Sequence, residues 1–242
     1  TAGLDVTVIE FAPYLLPRQL DEQGASVLQT LLEGQGLRFL KGAQTETILG
    51  DGKVTGVRAK DGRVVDCQMV LVSTGIRSRV ELARDAGLEV NRAVVVDHHM
   101  ATSAEDIYAA GDVAEFEGIT YGIIPAAIEQ ARVAAANMVD PGSVTYDGTL
   151  RSTTLKVVGI NLTCLGDATA PEAKFEIVRQ GDSSTGDYRR LALSDGKVVG
   201  AIMLGDRQDV RVVRELIKSG RDISAYQDDL LAGDFDLRSL LA

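Results

Sequence analysis

The sequence predicts an α/β fold followed by a C-terminal α+β domain. Two observations predict the first part. An apolar strand, Val6 to Glu10, ends in a carboxylate ahead of a helix, and a short apolar run, Ile107 to Ala110, ends at a Gly-Asp pair. The second part is predicted because, beyond residue 145, short strands alternate with tight turns and lead into one amphipathic helix.

Composition sets the broad class of the protein. Its 242 residues are 45% hydrophobic and 25% charged, which is typical of a globular protein with one or two cores. The net charge of −10 argues against nucleic acid or anionic membrane as a partner, and no apolar run approaches a membrane span. Cys67 and Cys164 form no CxxC or metal pattern and predict reduced thiols in a cytoplasmic protein. His98 and His99 are expected to be an exposed loop pair rather than metal ligands.

The N-terminal elements predict part of a βαβ unit. A helix is expected over Asp21 to Gln35 with Asp21 as its N-cap, and a strand over Leu37 to Leu40 after the glycine stop. In a dinucleotide-binding βαβ unit, an acid at the end of the strand binds the adenosine ribose hydroxyls, so Glu10 is a candidate NAD ligand. A carboxylate repels a 2′-phosphate and therefore favours NADH over NADPH.

A β-meander is predicted next, because short strands are separated by Gly-Asp-Gly and Asp-Gly turns. The predicted strands are Thr45 to Leu49, Val54 to Ala59 and Val64 to Asp66. Met69 to Val72 is fully apolar and predicts a further strand, after which Thr74-Gly75 allows close backbone approach.

The middle of the chain predicts a helix over Val80 to Ala86, a strand over Val94 to Asp97 and a helix over Pro125 to Met138. The run Ile107 to Ala110 is interpreted as a buried parallel strand, and Gly111-Asp112 as a turn that can meet a phosphate-bearing ligand. By spacing alone, a plain turn beside a core strand is an equal alternative.

The segment Thr102 to Asp112, T-x-x-x-x-I-Y-A-A-G-D, resembles the second flavin-binding segment of the pyridine nucleotide–disulfide oxidoreductase superfamily. The resemblance implies that Asp112 holds the ribityl chain of FAD, while Gly111 and the Val113 amide lie against the pyrophosphate. It also implies that the helix beginning near Ala126 and Ala127 points its N-terminus at the flavin, where its dipole stabilises the reduced anion. A buried packing helix is compatible with that role. Thr74 and Gly75 would lie against the nicotinamide nucleotide.

The C-terminal module carries a second resemblance. Tyr146 to Ala168 and Tyr188 to Asp206 resemble the C-terminal domain of NADH:rubredoxin-type reductases, a pattern shared with the flavin-bearing half of nitrite reductase large subunits. Its predicted strands and closing helix are Thr153 to Val158, Asn161 to Leu165, Phe175 to Arg179, Tyr188 to Leu193, Lys197 to Leu204 and the helix Asp206 to Ser219. Turns are expected at Ser183 to Gly186 and Asp195-Gly196.

The two resemblances imply a domain plan: residues 1–79 as a partial NAD-binding domain, 80–140 as the second segment of an FAD-binding domain, and 145–242 as a C-terminal domain. Neither of the family's two Gly-rich nucleotide turns is present in this sequence. The chain is therefore expected to be a C-terminal portion of a larger two-dinucleotide-domain flavoprotein. It is expected not to hold FAD tightly or turn over by itself, and to have open sheet edges through which two copies could pair.

The function implied by the resemblance is an FAD-dependent NAD(P)H oxidoreductase. It would pass electrons from NADH through flavin to a rubredoxin-like acceptor protein or a nitrite-reducing centre. No residue of this segment is predicted to be a proton-transfer catalyst, and none a metal ligand. The alternative is a non-catalytic docking or dimerisation module of a larger flavoprotein.

Overall fold

A computed structural model describes residues 3–157, 159–182, 186–205, 209–230 and 236–241. The chain forms two compact units, one made of Thr1–Leu71 together with Arg151–Ala242 and the other of Val72–Leu150. Among the described residues, no helix combines the length and the apolar character needed to span a bilayer.

The first unit begins with a parallel strand pair. Strand β1 (Val6–Ile9) pairs with β2 (Leu37–Leu40), and helix α1 (Glu22–Gly34) connects them. The side chain of Asp21 caps α1 by accepting a hydrogen bond from the Gly24 amide at 3.0 Å, as the sequence predicted.

An antiparallel meander follows. Its strands are β3 (Thr45–Gly50), β4 (Val54–Ala59) and β5 (Val64–Asp66), with β4 in the centre. The strand predicted over Met69 to Val72 was wrong. No described strand pairs with this segment, and Leu71 is 90% exposed. An apolar sequence forms a strand only where a neighbouring strand supplies a hydrogen-bonded ladder.

The C-terminal half of the first unit is a five-stranded antiparallel sheet in the order β10-β11-β12-β9-β8. The strands are β8 (Ser152–Val157), β9 (Ile160–Gly166), β10 (Glu176–Asp182), β11 (Asp187–Ser194) and β12 (Lys197–Leu204). All five were predicted, with ends displaced by one to three residues where they differ. The Ser183–Thr185 part of the predicted turn and residue 158 lie outside the described residues.

Both faces of this sheet are covered. Alternate residues of β12 separate the two cores, because Ala201 and Met203 pack on one side and Ile202 and Leu204 on the other. The first core is completed by α4 (Val210–Ser219), whose buried residues are Val212, Val213 and Leu216, and Gly220 ends this helix in the left-handed region at φ +59°. Residues 206–208, where this helix was predicted to begin, lie outside the described residues. A short helix, α5 (Gln227–Leu230), follows.

The second core was not predicted. It joins the face of β12 that carries Ile202 to helix α1, whose Leu28 is buried in the same cluster. Residues from the predicted NAD-binding part and the C-terminal module thus share one hydrophobic core, which accounts for their grouping in a single compact unit.

The second unit holds α2 (Glu81–Asp85), the parallel pair β6 (Val94–Val96) and β7 (Ala114–Phe116), and the long helix α3 (Ile124–Val139). β6 pairs with β7 and not with residues 107–110, which corrects the interpretation of those residues as a buried parallel strand. Ile107 to Ala110 forms no strand and contributes only an isolated antiparallel bridge between Tyr108 and Ala101. The chain reverses through Asp106 at φ +61°, so the run folds back on residues 100–102.

Candidate functional site

The Gly111-Asp112 turn is a single turn of 3₁₀ helix, Gly111–Val113, between the bridged segment and β7. Gly111 has φ +81°, a conformation that favours glycine. Its amide donates to Oε1 of Gln130 at 2.8 Å, and a Cβ at residue 111 would lie 3.5 Å from the Cβ of Ala127. The turn is therefore fixed directly against the first turns of α3.

The carboxylate of Asp112 is exposed, and within the described part of the chain no donor reaches it. The turn below it is held through the main chain, because the Ser78 hydroxyl donates to the Asp112 carbonyl at 2.5 Å. The backbone is thus anchored while the side chain keeps its full acceptor capacity.

Helix α3 begins beside this turn without a side-chain cap. Its N-cap is Ile123, and proline occupies the first turn. The Ala127 amide donates to the Ile123 carbonyl at 3.1 Å, whereas the Ala126 amide has no partner among the described residues. The N-terminus of this sixteen-residue helix carries a partial positive charge, and its first turn contains no acidic residue to neutralise it. Such a terminus is a favourable place for an anion.

Buried polar groups support the turn from behind. Gln130 is 1% exposed and holds the Gly111 amide. Glu115 is buried and accepts from Asn91 Nδ2 at 3.2 Å and from the amides of Arg92 and Ala93 at 3.0 and 3.1 Å. These supporting residues were missed from sequence, where the only signal for Gln130 was a polar residue in an alanine-rich helix.

A cluster of rings packs behind β7. Tyr146 contacts Phe116 and Tyr121 edge to face, and burial raises the pKa of the Tyr146 phenol to about 12. His98 contacts Phe116 edge to face and is exposed, as the sequence predicted, whereas His99, predicted to be exposed with it, is half-buried. The described residues contain no group of three potential metal ligands.

The candidate NAD residues fall in both units. Glu10 lies where β1 and β2 end, and its Oε1 accepts from the Ala12 amide at 2.8 Å, which leaves Oε2 without a donor among the described residues. Thr74 and Gly75 are exposed in an irregular segment of the second unit, with Gly75 at φ +90°.

A parallel strand pair that ends in a carboxylate, and a Gly-Asp turn set against a helix N-terminus, are both typical of dinucleotide-binding α/β proteins. Comparison with known families specifies the class. Residues 1–137 match the family model of the pyridine nucleotide-disulphide oxidoreductases, and the chain belongs to this family. Residues 152–221 match the rubredoxin NAD+ reductase C-terminal domain. The family resemblance and fold class predicted from sequence are both confirmed.

Two curated relatives are similar in sequence to nearly the whole of this chain. It is 38% identical over 222 residues to the nitrite reductase [NAD(P)H] of Bacillus subtilis, covering 92% of this chain and 28% of that protein. It is 32% identical over 229 residues to the assimilatory nitrate reductase electron transfer subunit of the same organism, covering 95% and 30%.

A solved structure shows a similar fold. The ferredoxin reductase for the CYP199A2 system of Rhodopseudomonas palustris superposes with a TM-score of 0.83 at 26% identity, covering 99% of this chain and 59% of that one. The chain spans under a third of the two curated relatives described above.

Proposed function

We propose that the chain is part of a longer FAD-dependent oxidoreductase that takes electrons from NADH and delivers them to an acceptor protein or a nitrite-reducing centre. The observation that carries the proposal is the Gly111–Val113 turn, which is anchored through its backbone and by Gln130 and carries the free carboxylate of Asp112. Flavin, when bound, accepts a hydride and releases electrons one at a time, so this chain needs to bind and orient the group.

On the flavin side, the Asp112 carboxylate accepts hydrogen bonds from the hydroxyls of a sugar-like chain, which is the role that a solvent-facing acceptor without internal donors can fill. Gly111 and the Val113 amide lie against the pyrophosphate.

Ala126 and Ala127 place the start of α3 toward the ring system. The helix terminus carries about half a positive charge, which favours the anionic reduced flavin. Their small side chains let the helix approach the turn closely, since a Cβ at residue 111 would lie only 3.5 Å from the Ala127 Cβ.

On the nicotinamide side, Glu10 accepts from the ribose hydroxyls of NADH through the oxygen that Ala12 does not use. Thr74 and Gly75 supply backbone next to the nucleotide. A carboxylate at residue 10 disfavours NADPH, so the proposed donor is NADH.

The acceptor is proposed to be an electron-carrier protein of the rubredoxin type or a nitrite-reducing centre in the longer protein. The support is the match to a rubredoxin NAD+ reductase C-terminal domain and the electron-transfer and nitrite reductase relatives.

The experiment uses the longer protein that contains this chain. It is expected to purify with flavin absorbance and to oxidise NADH in the presence of an artificial electron acceptor. Glu10→Gln is expected to reduce the preference for NADH over NADPH while flavin content stays unchanged. A protein that is colourless and remains so with added FAD would rule out the enzyme. The 242-residue chain alone is expected to leave added FAD in the filtrate.

A docking or dimerisation module is the second candidate. The observation that favours it is the small size of the β1–β2 and β6–β7 sheets, since each has only two described strands. Under this alternative the isolated chain dimerises, and the longer protein neither binds flavin nor oxidises NADH.

A further inference from the structure

The loop after β9 lines a cavity of about 320 Å³. All the lining residues belong to the first compact unit, whereas the Gly111 turn belongs to the second. The cavity volume is near the lower end of volumes typical of small-molecule sites, so it suits a mononucleotide better than a dinucleotide. The cavity is lined by Arg18, Arg151, Phe175 and the loop residues 166–171.

The loop is held from behind by a buried arginine. Arg190 is 2% exposed, and its guanidinium donates to the carbonyls of Ala168 and Ala170. The loop is also tied to β12, because the Asp167 amide donates to the Val199 carbonyl at 3.0 Å. Burial lowers the pKa of Arg190, and the nearby charge of Asp21 offsets this only in part. The loop therefore has one fixed backbone path.

That path orients a donor away from the arginine. In a trans peptide the carbonyl and the following N–H point in opposite directions, so a carbonyl of Ala168 turned toward Arg190 turns the Thr169 amide the other way. Thr169 is exposed, and its amide and hydroxyl have no hydrogen-bond partner in the described structure. Two donors on one residue are thus available at the cavity wall.

Two cations complete the polar side. Arg18 is exposed and has no ion-pair partner among the residues that the structure describes. Arg151 pairs with Asp167 at the surface, where such a pair contributes little and can exchange partners. Arg18, Arg151 and the two donors of Thr169 are thus the lining groups able to contact an anion, and the Asp167 carboxylate is the one acidic side chain among the lining residues.

The other side of the cavity is apolar. Ala170 and Pro171 line it, and the turn from Pro171 to Phe175 is closed by the Phe175 amide, which donates to the Pro171 carbonyl at 3.2 Å. The half-buried Phe175 ring offers a surface for a flat group.

We propose that this cavity, which we call the Arg18/Arg151 site, binds a phosphate monoester of mononucleotide size. Its phosphate contacts Arg18, Arg151 and Thr169, and its ring contacts Phe175. The site is separate from the proposed NAD and FAD residues, with which it shares no side chain.

Isothermal titration of the full 242-residue chain with AMP, and separately with inorganic phosphate, tests the proposal. Arg18→Gln removes no internal ion pair, so it is the primary variant, and Arg151→Gln is the second. Arg63→Gln is the matched control, because Arg63 also pairs with a nearby exposed aspartate and does not line the cavity. Glu10→Gln separates this site from the proposed NAD residue.

We expect AMP to bind more tightly than phosphate, and Arg18→Gln and Arg151→Gln each to raise the AMP Kd about tenfold or more. Arg63→Gln and Glu10→Gln are expected to leave it unchanged. Absence of AMP binding, or AMP binding that Arg18→Gln does not weaken, would overturn the proposal. Equal affinities for phosphate and AMP would overturn the contact with Phe175 and the mononucleotide size.

Discussion

Two aspartates in this protein lie near the starts of helices and have opposite surroundings. Asp21 is the N-cap of α1, and Asp112 lies in the 3₁₀ turn that is fixed against the first turns of α3. Asp21 accepts from the Gly24 amide, from the Tyr188 hydroxyl at 2.6 Å and from Arg179 Nε at 3.3 Å. Arg190 Nε also lies 3.3 Å from its carboxylate, in an ion pair without hydrogen-bond alignment. Asp112 has an exposed carboxylate that no described donor reaches.

The difference separates a structural carboxylate from one available to a ligand. A carboxylate that accepts three internal hydrogen bonds stabilises the elements that supply the donors, here α1 and strands β10 and β11. A carboxylate without internal donors contributes little to folding, and its acceptors remain available for hydroxyls from outside. The carbonyls of both residues accept a hydrogen bond, from the Ala25 amide at Asp21 and from the Ser78 hydroxyl at Asp112, so the contrast lies in the side chains.

Removing the Asp21 carboxylate should lower the stability of the chain more than any other change considered below. Asp21→Ala leaves the buried Arg190 without its nearest anion and the Tyr188 hydroxyl without its acceptor, so the free energy of unfolding should fall by about 3–5 kcal/mol. Urea denaturation of the 242-residue chain measures it. Asp5→Ala, which breaks an exposed pair with Arg38, is the control and should change stability by less than about 1 kcal/mol. Equal losses in both variants would contradict the structural role of Asp21.

A smaller loss of stability is expected from crowding the start of α1 beside Asp21, and a second glycine of the same helix serves as the control. A Cβ at Gly24 would lie 2.8 Å from the Tyr188 ring, so Gly24→Ala should destabilise by about 1–3 kcal/mol despite alanine's higher helix propensity. Gly34, in the same helix, has open space, so Gly34→Ala should stabilise by about 0.5–1 kcal/mol. Thermal or urea unfolding gives both values. A stabilising Gly24→Ala would show that α1 does not pack against Tyr188 as described.

Alkaline pH probes one buried weak acid in each unit. Burial raises the pKa of the Cys164 thiol from 9.0 to about 12, and that of the Tyr146 phenol from 10.0 to about 12. Between pH 9 and pH 12 the folded protein therefore holds more protons than the unfolded chain, and stability must fall as pH rises. Each group contributes a slope of up to about 1.4 kcal/mol per pH unit. Unfolding measured across this range should show a shallower decline for Cys164→Ala; identical slopes would contradict the burial of the thiol.

Local signals in the sequence predicted local structure well. The capping role of Asp21 and the bounds of β2, β4, β5 and β12 were predicted directly, because caps, turns and alternation depend on neighbouring residues. Apolar runs were less reliable. Met69 to Val72 and Ile107 to Ala110 have strand-like composition but no ladder partner in the described structure.

Contacts between residues far apart in the sequence could not be predicted from local patterns. Arg179 and Tyr188 are 158 and 167 residues from Asp21, so the cluster that joins α1 to the C-terminal sheet leaves no local pattern. The glycine and aspartate of the candidate site were found through a family motif, whereas Gln130 and Ser78, which hold that turn, required the coordinates.

The most direct test of the contrast is flavin retention by Asp112→Ala in the longer protein, with Asp112→Asn beside it and the stability of the 242-residue chain as reference. We expect Asp112→Ala to weaken flavin binding about tenfold or more, Asp112→Asn to weaken it less, and chain stability to change by less than about 0.5 kcal/mol. Undiminished flavin content in Asp112→Ala, or loss of stability comparable to that of Asp21→Ala, would contradict it.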